Sequence, residues 1–491
     1  MRTRLAPLFL VLLILSAAAF SPSEGTDIMI WVRPEEIIRG PGSPQIVMLL
    51  ANTGSTPVRL SSAVSRVDGA ETKEVNLSQV LPVLGDAEVR ALLDILEGRR
   101  TDFPSALAGK VCIIGVPTGV EHDGKSEKTV ALSAEVHFSD GGSRTVESTA
   151  ILTTALPAEA GWVAGDGHLH SDFSDGGYSI YQRRNDAVGF GYKWIFVTDH
   201  AGALASTYAS YVSTCAAADG TSLAIGPDQE VASYDGGHYL AYRCNSALLD
   251  NYYAESYLPT YVKISNPPSS FGGIAHPNHL MFPWGSTEFA KDNPVFRFVE
   301  LFSNQRLPSS ATVTRWQDQL EKDLPAKIAG GDAAPFTVGV AGSDAHFTGS
   351  PYWGKNMTYL YTSLIPPTIS PAYQALLAGK AVASGDGSFA RFTLGGKRIG
   401  QVLTTSASTI SVNYYIKGVT SSTMIQWFRL VEAKNGTVVP GSGEVLNQNL
   451  YQGTKSVTFG SVDNAYYLEV GLKDSSGVTQ RVITNPIFLN R

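Results

Sequence analysis

The chain is short of charge, and most of all of positive charge. Asp, Glu, Lys and Arg make up only 16% of its 491 residues, and 37 Lys plus Arg against 44 Asp plus Glu leave a net charge of −7. No basic surface therefore argues for a nucleic-acid partner. Cysteine is nearly absent. Cys112, Cys215 and Cys244 sit at spacings that fit no zinc motif. Their odd number leaves at least one thiol free or paired outside the chain. A Cys215–Cys244 bridge stays open, and all three suit small buried apolar positions. After Leu5–Phe20 no apolar run has the length of a membrane span. Ser213 to Ala217 lacks a nucleophile-elbow pattern, so serine-hydrolase chemistry finds no support. There is no internal repeat and no long low-complexity segment.

What the chain has is glycine (48), proline (26) and tyrosine (21). Low charge with this composition suits an extracytoplasmic, strand-rich protein, and the length implies two to four domains. Residues 1–22 read as a secretory signal: Arg2 and Arg4, an apolar run, then small residues Ser16 to Ala19 as a cleavage zone. The alternative is an uncleaved N-terminal anchor. No cysteine follows the run to carry a lipid. The expected location is outside the cytoplasm: secreted, periplasmic or at the cell surface.

Residues 27–158 read as a β-sandwich of immunoglobulin-like type. One helix interrupts it, with Asp86 as N-cap, Val89, Leu92, Leu93 and Leu96 at helical spacing and Gly98 as the stop. His122 and His137 are expected to be ordinary surface or strand histidines. Residues 161–387 alternate apolar strands with amphipathic and Gly/Pro-rich segments, an α/β pattern. Seven strand candidates end near His170, His200, Gly226, Tyr242, His276, Phe302 and Asp344. In a parallel barrel such ends meet around one mouth. Residues 391–491 return to alternating strands with turn signals such as Asn435-Gly436, a second β-sandwich.

The chemistry centres on Asp166-Gly167-His168-Leu169-His170. Two histidines two apart on a strand put both imidazoles on one face. Asp175 follows in a Ser-Asp-Gly turn that can fold a carboxylate back over them. Seven of the nine histidines fall in the 179 residues from His168 to His346, where even scatter would give about three. They stand beside Asp175, Asp199, Glu230 and Asp344. Imidazole plus carboxylate without thiolate points to divalent ions of the Zn, Mn or Fe kind.

Asp166-x-His168-x-His170, Ser174-Asp175-Gly176, Thr198-Asp199-His200, Glu230, His238, Ala275-His276-Pro277 and Gly342-Ser343-Asp344-Ala345-His346 resemble, in order and spacing, the motif set of the PHP (polymerase and histidinol phosphatase) family. The match covers residues 161–387. The leader, the N-terminal β-domain and the ending Thr484-Asn485-Pro486-Ile487 look similar to its CehA/McbA-type branch, which includes carbaryl (carbamate) hydrolase. The resemblance implies a central distorted (β/α)7 barrel, flanked by the two β-sandwiches, with up to three metals at its mouth. By motif, His168, His170, Glu230 and Asp344 would take the first ion. Glu230, His238 and His276 would take the second, and Asp175, His200 and His346 the third. Asp228 competes with Glu230 for its place.

Such a cluster implies hydrolysis by an activated water, with Glu230, Asp344, His170 and His346 as the residues nearest the chemistry. Asp166 and Asp199 are expected to orient histidines. Arg184, His279, Asn304 and Lys355 are candidates for substrate binding, with Arg183, Arg306, Phe282 and Trp284 around them. A solvated helix face suits Arg183 and Arg184 better than a substrate contact. The expected substrate is a small phosphate mono- or diester. An ester or carbamate is the alternative on the same site, and a carbohydrate- or surface-binding protein with a non-catalytic barrel is the alternative of another class.

Overall fold

A computed structural model describes residues 28–491 except 33–34, 40, 97–104, 108–109, 124–127, 158, 233–237, 243–273, 278–297, 304–306, 309, 347–349, 351, 363–367, 475–476 and 478. The leader (1–22), Gly98 and Cys244 therefore lie outside the described residues. The chain forms two compact units. One takes the described residues up to Ala155 with Tyr181–Phe190; the other takes Leu156–Ile180 and Gly191–Arg491.

The first unit is a β-sandwich. Gln45–Asn52 lies between Ile28–Val32 and Val111–Pro117 in one antiparallel sheet. Lys128–Phe138 lies between Val58–Val67 and Ser143–Thr153 in the other. Strict alternation along Lys128–Phe138 turns Val130, Leu132, Ala134, Val136 and Phe138 to one face. There they share a core with Ile46, Met48 and Leu50 of the first sheet. The helix spans Asp86–Leu96. Its start is closed by Glu88, whose carboxylate accepts from the Gly85 amide at 3.0 Å, so the cap comes from the third helical position rather than from Asp86. His122 is a strand histidine, buried, with Nε2 3.0 Å from the Thr153 carbonyl.

In the second unit all seven candidate strands are present. Trp162–Leu169, Trp194–Val197 and Ala224–Pro227 pair in parallel in that order. Phe298–Ser303 pairs in parallel with Val338–Gly342. Trp162–Leu169 has different neighbours along its length. Its first half pairs with Met357–Tyr361 in antiparallel fashion. Its second half is bridged at Leu169 to Ala345, with Asp344 N donating to His168 O and His170 N to Ala345 O, both at 2.9 Å. On the other side Thr198 N donates to Leu169 O, and Glu230 N to Asp199 O. The segments 344–346, 168–170, 198–200 and 228–230 are thus hydrogen-bonded side by side. That adjacency makes a site from residues far apart in sequence.

Gln229–Ala232, His238–Tyr242 and Ile274–Pro277 form a separate antiparallel sheet, and among the described residues the strands do not close into a ring. Nor does the sheet stop near residue 387. Ala381–Ser384 pairs with Thr479–Thr484, which continues through Asn464–Lys473 to Met424–Glu432. One core spans that join: Trp316 packs on Tyr467 and Phe336 on Phe488, with ring centroids 5.0 and 4.9 Å apart. Rings of this size, fully buried, each contribute about 1.5–3 kcal/mol. Phe389–Leu394, Thr409–Lys417 and Leu450–Thr458 form a further sheet over the C-terminal part.

Asn485, in the ending singled out above, is fully buried and serves as a backbone substitute. It donates to Gly339 O at 2.8 Å and Ala381 O at 2.9 Å, and accepts from Gly339 N at 2.7 Å. It thereby satisfies the strand that delivers Asp344.

Candidate metal centre

Four ligand atoms meet at the strand ends. His168 Nε2 lies 3.4 Å from His170 Nε2, 3.6 Å from Glu230 Oε2 and 3.3 Å from Asp344 Oδ1. His170 Nε2 lies 3.0 Å from Glu230 Oε2 and 3.3 Å from Asp344 Oδ1. Ligands about 2.0–2.1 Å from one tetrahedral ion are about 3.3–3.4 Å from each other. Five of the six edges of this set, at 3.0–3.6 Å, bracket that spacing. Buried acids and histidines at these spacings can hold a metal ion.

A second group adjoins it: Asp175, His200 and His346, with His170 at its border. Asp175 Oδ2 is 3.4 Å from His200 Nε2 and 3.2 Å from His346 Nε2, while its Oδ1 is 3.3 Å from His170 Nδ1. One carboxylate thus faces two ligands with one oxygen and steadies His170 with the other. The His170 and His346 rings stack at 4.3 Å and 15°.

Local backbone explains the aim of these groups. Asp344 adopts φ +54°, the left-handed region, which turns its side chain back toward the His168 strand. Gly342 lets that strand come close: a Cβ there would lie 2.5 Å from Glu300 Oε1 and from His168 Cβ. Asp199 accepts from the Ser171 amide at 2.8 Å and from the Ser171 and Ser174 hydroxyls, fixing the turn that carries Asp175. Asp166 accepts from the His168 and Ser343 amides. Both acids therefore hold backbone and turn, where an imidazole was expected. The residue that does orient an imidazole is Glu300, whose Oε1 accepts from His168 Nδ1 at 3.0 Å and directs Nε2 into the cluster. Glu300 was hidden in an apolar run; its signal was a buried-type strand with one acid in it.

Electrostatics favour a cation. Burial opposes charge on His168, yet Glu300, Asp344 and Glu230 outweigh it and hold the imidazole well above its ordinary 6.5. For His170, burial is likewise overcome by Asp175, Asp344 and Glu230. Hydrogen bonds from His170, His200 and His346 hold Asp175 far below the usual carboxylate range. Burial pushes Asp166 up to about 7, against hydrogen bonds from Ser343 and His168.

The structure therefore brings together His168, His170, Asp175, His200, Glu230, Asp344 and His346. Asp228 is set apart: its Oδ2 accepts from Tyr373 at 2.6 Å. His238 and His276 are placed by backbone alone. Leu240 pairs with both Glu230 and His276, and His238 sits two residues from Leu240, so all three positions share one register parity. Lys355 lies in the turn before Met357–Tyr361, and Arg184 lies on the Ile180–Gly189 helix and donates to Asn185 at 3.3 Å. Arg183 on that helix is buried. His279, Asn304, Arg306, Phe282 and Trp284 lie outside the described residues. Cys112 and Cys215 are buried free thiols, and burial pushes Cys112 up to about 11. No helix among the described residues is long and apolar enough to cross a membrane.

No family model matches the chain, and no curated protein does. Among solved structures, the apo structure of Bacteroides uniformis beta-glucuronidase 3 is similar at 7% identity and a TM-score of 0.20. The alignment covers 94% of this chain and 64% of that one, so the chain spans just under two thirds of its length. A likeness that low carries no argument about fold or activity.

Proposed function

We propose that this protein is an exported, metal-dependent hydrolase of the PHP type, built on a distorted barrel and acting on a small phosphate mono- or diester. The observation that carries the reading is the tetrahedral set His168 Nε2, His170 Nε2, Glu230 Oε2 and Asp344 Oδ1. These four would hold one ion and Asp175, His200 and His346 another, with His238 and His276 joining Glu230 around a third. A divalent ion so held supplies Lewis acidity and brings the pKa of a water toward about 7.

The chain's own residues set the conditions for that chemistry. Glu300 fixes the His168 tautomer, and Asp175 Oδ1 lies 3.3 Å from His170 Nδ1. Asp199 holds the turn that presents Asp175 to solvent. Asp175 is exposed and His200 and His346 are half-buried, whereas His168 and His170 are fully covered. Substrate would therefore approach from the Asp175 side. His346 Nδ1, 2.9 Å from the Asp344 carbonyl, keeps its Nε2 turned toward Asp175. Lys355 is the candidate contact for a substrate anion.

The test is turnover of nitrophenyl phosphate, bis-nitrophenyl phosphate and nitrophenyl acetate before and after chelation, with elemental analysis of the same sample. Phosphate-ester turnover abolished by chelator and restored by metal is the expected result. Turnover of the acetate alone would move the reading to an ester or carbamate hydrolase. Bound metal without turnover of any substrate would favour a binding protein.

A further inference from the structure

At the other end of the Trp162–Leu169 strand, Trp162, Tyr361, Phe392, Arg391, Arg398 and Glu159 line a cleft of about 160 Å³. Trp162 is six residues before His168, so at ~3.3 Å per residue the cleft lies roughly 20 Å from the metal centre. Its walls are aromatic. Trp162 and Tyr361 are cross-strand partners with ring centroids 5.4 Å apart, tilted by 58°. Gly161, at φ +83°, leaves room for that arrangement, since a Cβ there would lie 2.7 Å from the Tyr361 ring.

The two arginines are in different states. Arg391 is ion-paired with Glu159. Arg398 is exposed, lies 4.6 Å over the Tyr361 ring and donates to the Tyr361 hydroxyl. No carboxylate pairs with Arg398 among the described residues, although its neighbour Lys397 has Asp332 at 3.7 Å. In a chain of net charge −7 a guanidinium fixed over a ring without a counter-ion is an anion site in waiting. Glu159 adds the opposite demand. Glu159 lines the same cleft, and its Oε2 has neither a hydrogen-bond partner nor access to water, so a ligand hydroxyl meets it only when the carboxylate turns toward the cleft.

We infer that this cleft binds one sugar ring carrying an anionic group. The C–H face of a pyranose packs on Trp162 and Tyr361, a ring hydroxyl donates to Glu159, and the anion pairs with Arg398. A planar aromatic acid would meet the rings and Arg398 but leave Glu159 without a donor. The size fits a single ring, being below the ~300–1,000 Å³ of drug-sized sites. Tyr361 also lines a second cleft of about 300 Å³, with Thr362, Gln374 and Lys380, where an adjoining unit would find a second cation. The inference does not depend on the metal centre.

The experiment is calorimetric titration of the full chain, kept in chelator so that the metal centre takes no anion, with glucuronate, glucose 6-phosphate, glucose 6-sulfate, glucose and benzoate. At least one anionic sugar is expected to bind about tenfold or more tighter than glucose, one charge-assisted contact being of that size. The three anions identify which group is recognised. Arg398→Gln, at an exposed position, is expected to erase the preference while leaving glucose binding unchanged. Trp162→Leu is expected to weaken all sugars. Benzoate binding as tightly as the best sugar, an unchanged preference in Arg398→Gln, or no sugar binding at all would each overturn the inference.

Discussion

Glu300 Oε1 accepts a hydrogen bond from His168 Nδ1 at 3.0 Å, and both side chains are buried. The contact leaves Nε2 as the only nitrogen of His168 available to a metal and fixes its direction. Replacing Glu300 with Leu is expected to weaken metal binding about 10- to 100-fold, the usual cost of losing such a partner. Glu300→Gln retains an acceptor and should lose less. Competition with a chromophoric chelator measures both, and equal affinity in Leu and wild type would refute the role.

Asp344 stands in the left-handed region at φ +54° while supplying a ligand oxygen. A side chain there carries strain of about 1–2 kcal/mol, which glycine does not. In metal-free protein Asp344→Gly should therefore be more stable than Asp344→Ala by about 1 kcal/mol, and both should lose turnover. Denaturant titration of the two variants reads the difference. Alanine equal to or above glycine would mean the backbone is not strained.

The pH dependence of stability should differ in sign between metal-free and loaded protein. His168 and His170 have folded pKa values raised above 6.5. Their stabilisation of the metal-free fold is complete below about pH 6.5 and is lost as pH rises through the raised folded values. Asp175, with a depressed folded pKa, contributes above about pH 4 and loses its contribution as pH falls. Metal must displace the histidine protons, so its stabilisation should grow from pH 6 to pH 9. Melting curves with chelator and with added Zn or Mn across that range check this; a metal-induced shift that shrinks with pH contradicts it.

Asn485 completes the backbone pairing of Gly339 and Ala381 from the far end of the chain. Asn485→Ala removes the side-chain partner of Gly339 N and O and leaves Ala381 O with the residue-485 amide alone, with an expected loss of about 3 kcal/mol, since each unsatisfied group costs about 1–3 kcal/mol. Because Gly339 belongs to the strand that leads to Asp344, metal affinity should fall as well. Chemical denaturation and metal titration on one preparation test both, and a loss below 0.5 kcal/mol would show the contacts to be replaceable.

Local pattern was enough to locate much of this. Short apolar runs between Gly/Pro-rich and amphipathic segments marked every one of the seven strands, and the helical spacing of Val89, Leu92, Leu93 and Leu96 marked the Asp86–Leu96 helix, because such patterns are a property of neighbours. His168 and His170 declared a common face for the same reason. What spacing could not decide is which distant group answers each side chain. Asp228 and Glu230 are two residues apart and equal by parity; a hydroxyl 145 positions away, on Tyr373, occupies the first and leaves the second to the histidines. Glu300 meets His168 across 132 positions, and Ala381–Ser384 finds its partner strand in Thr479–Thr484, about a hundred residues further on. Periodicity is written over a few residues, whereas the choice among donors, acceptors and strand edges is made by three-dimensional proximity, and only the folded chain contains that.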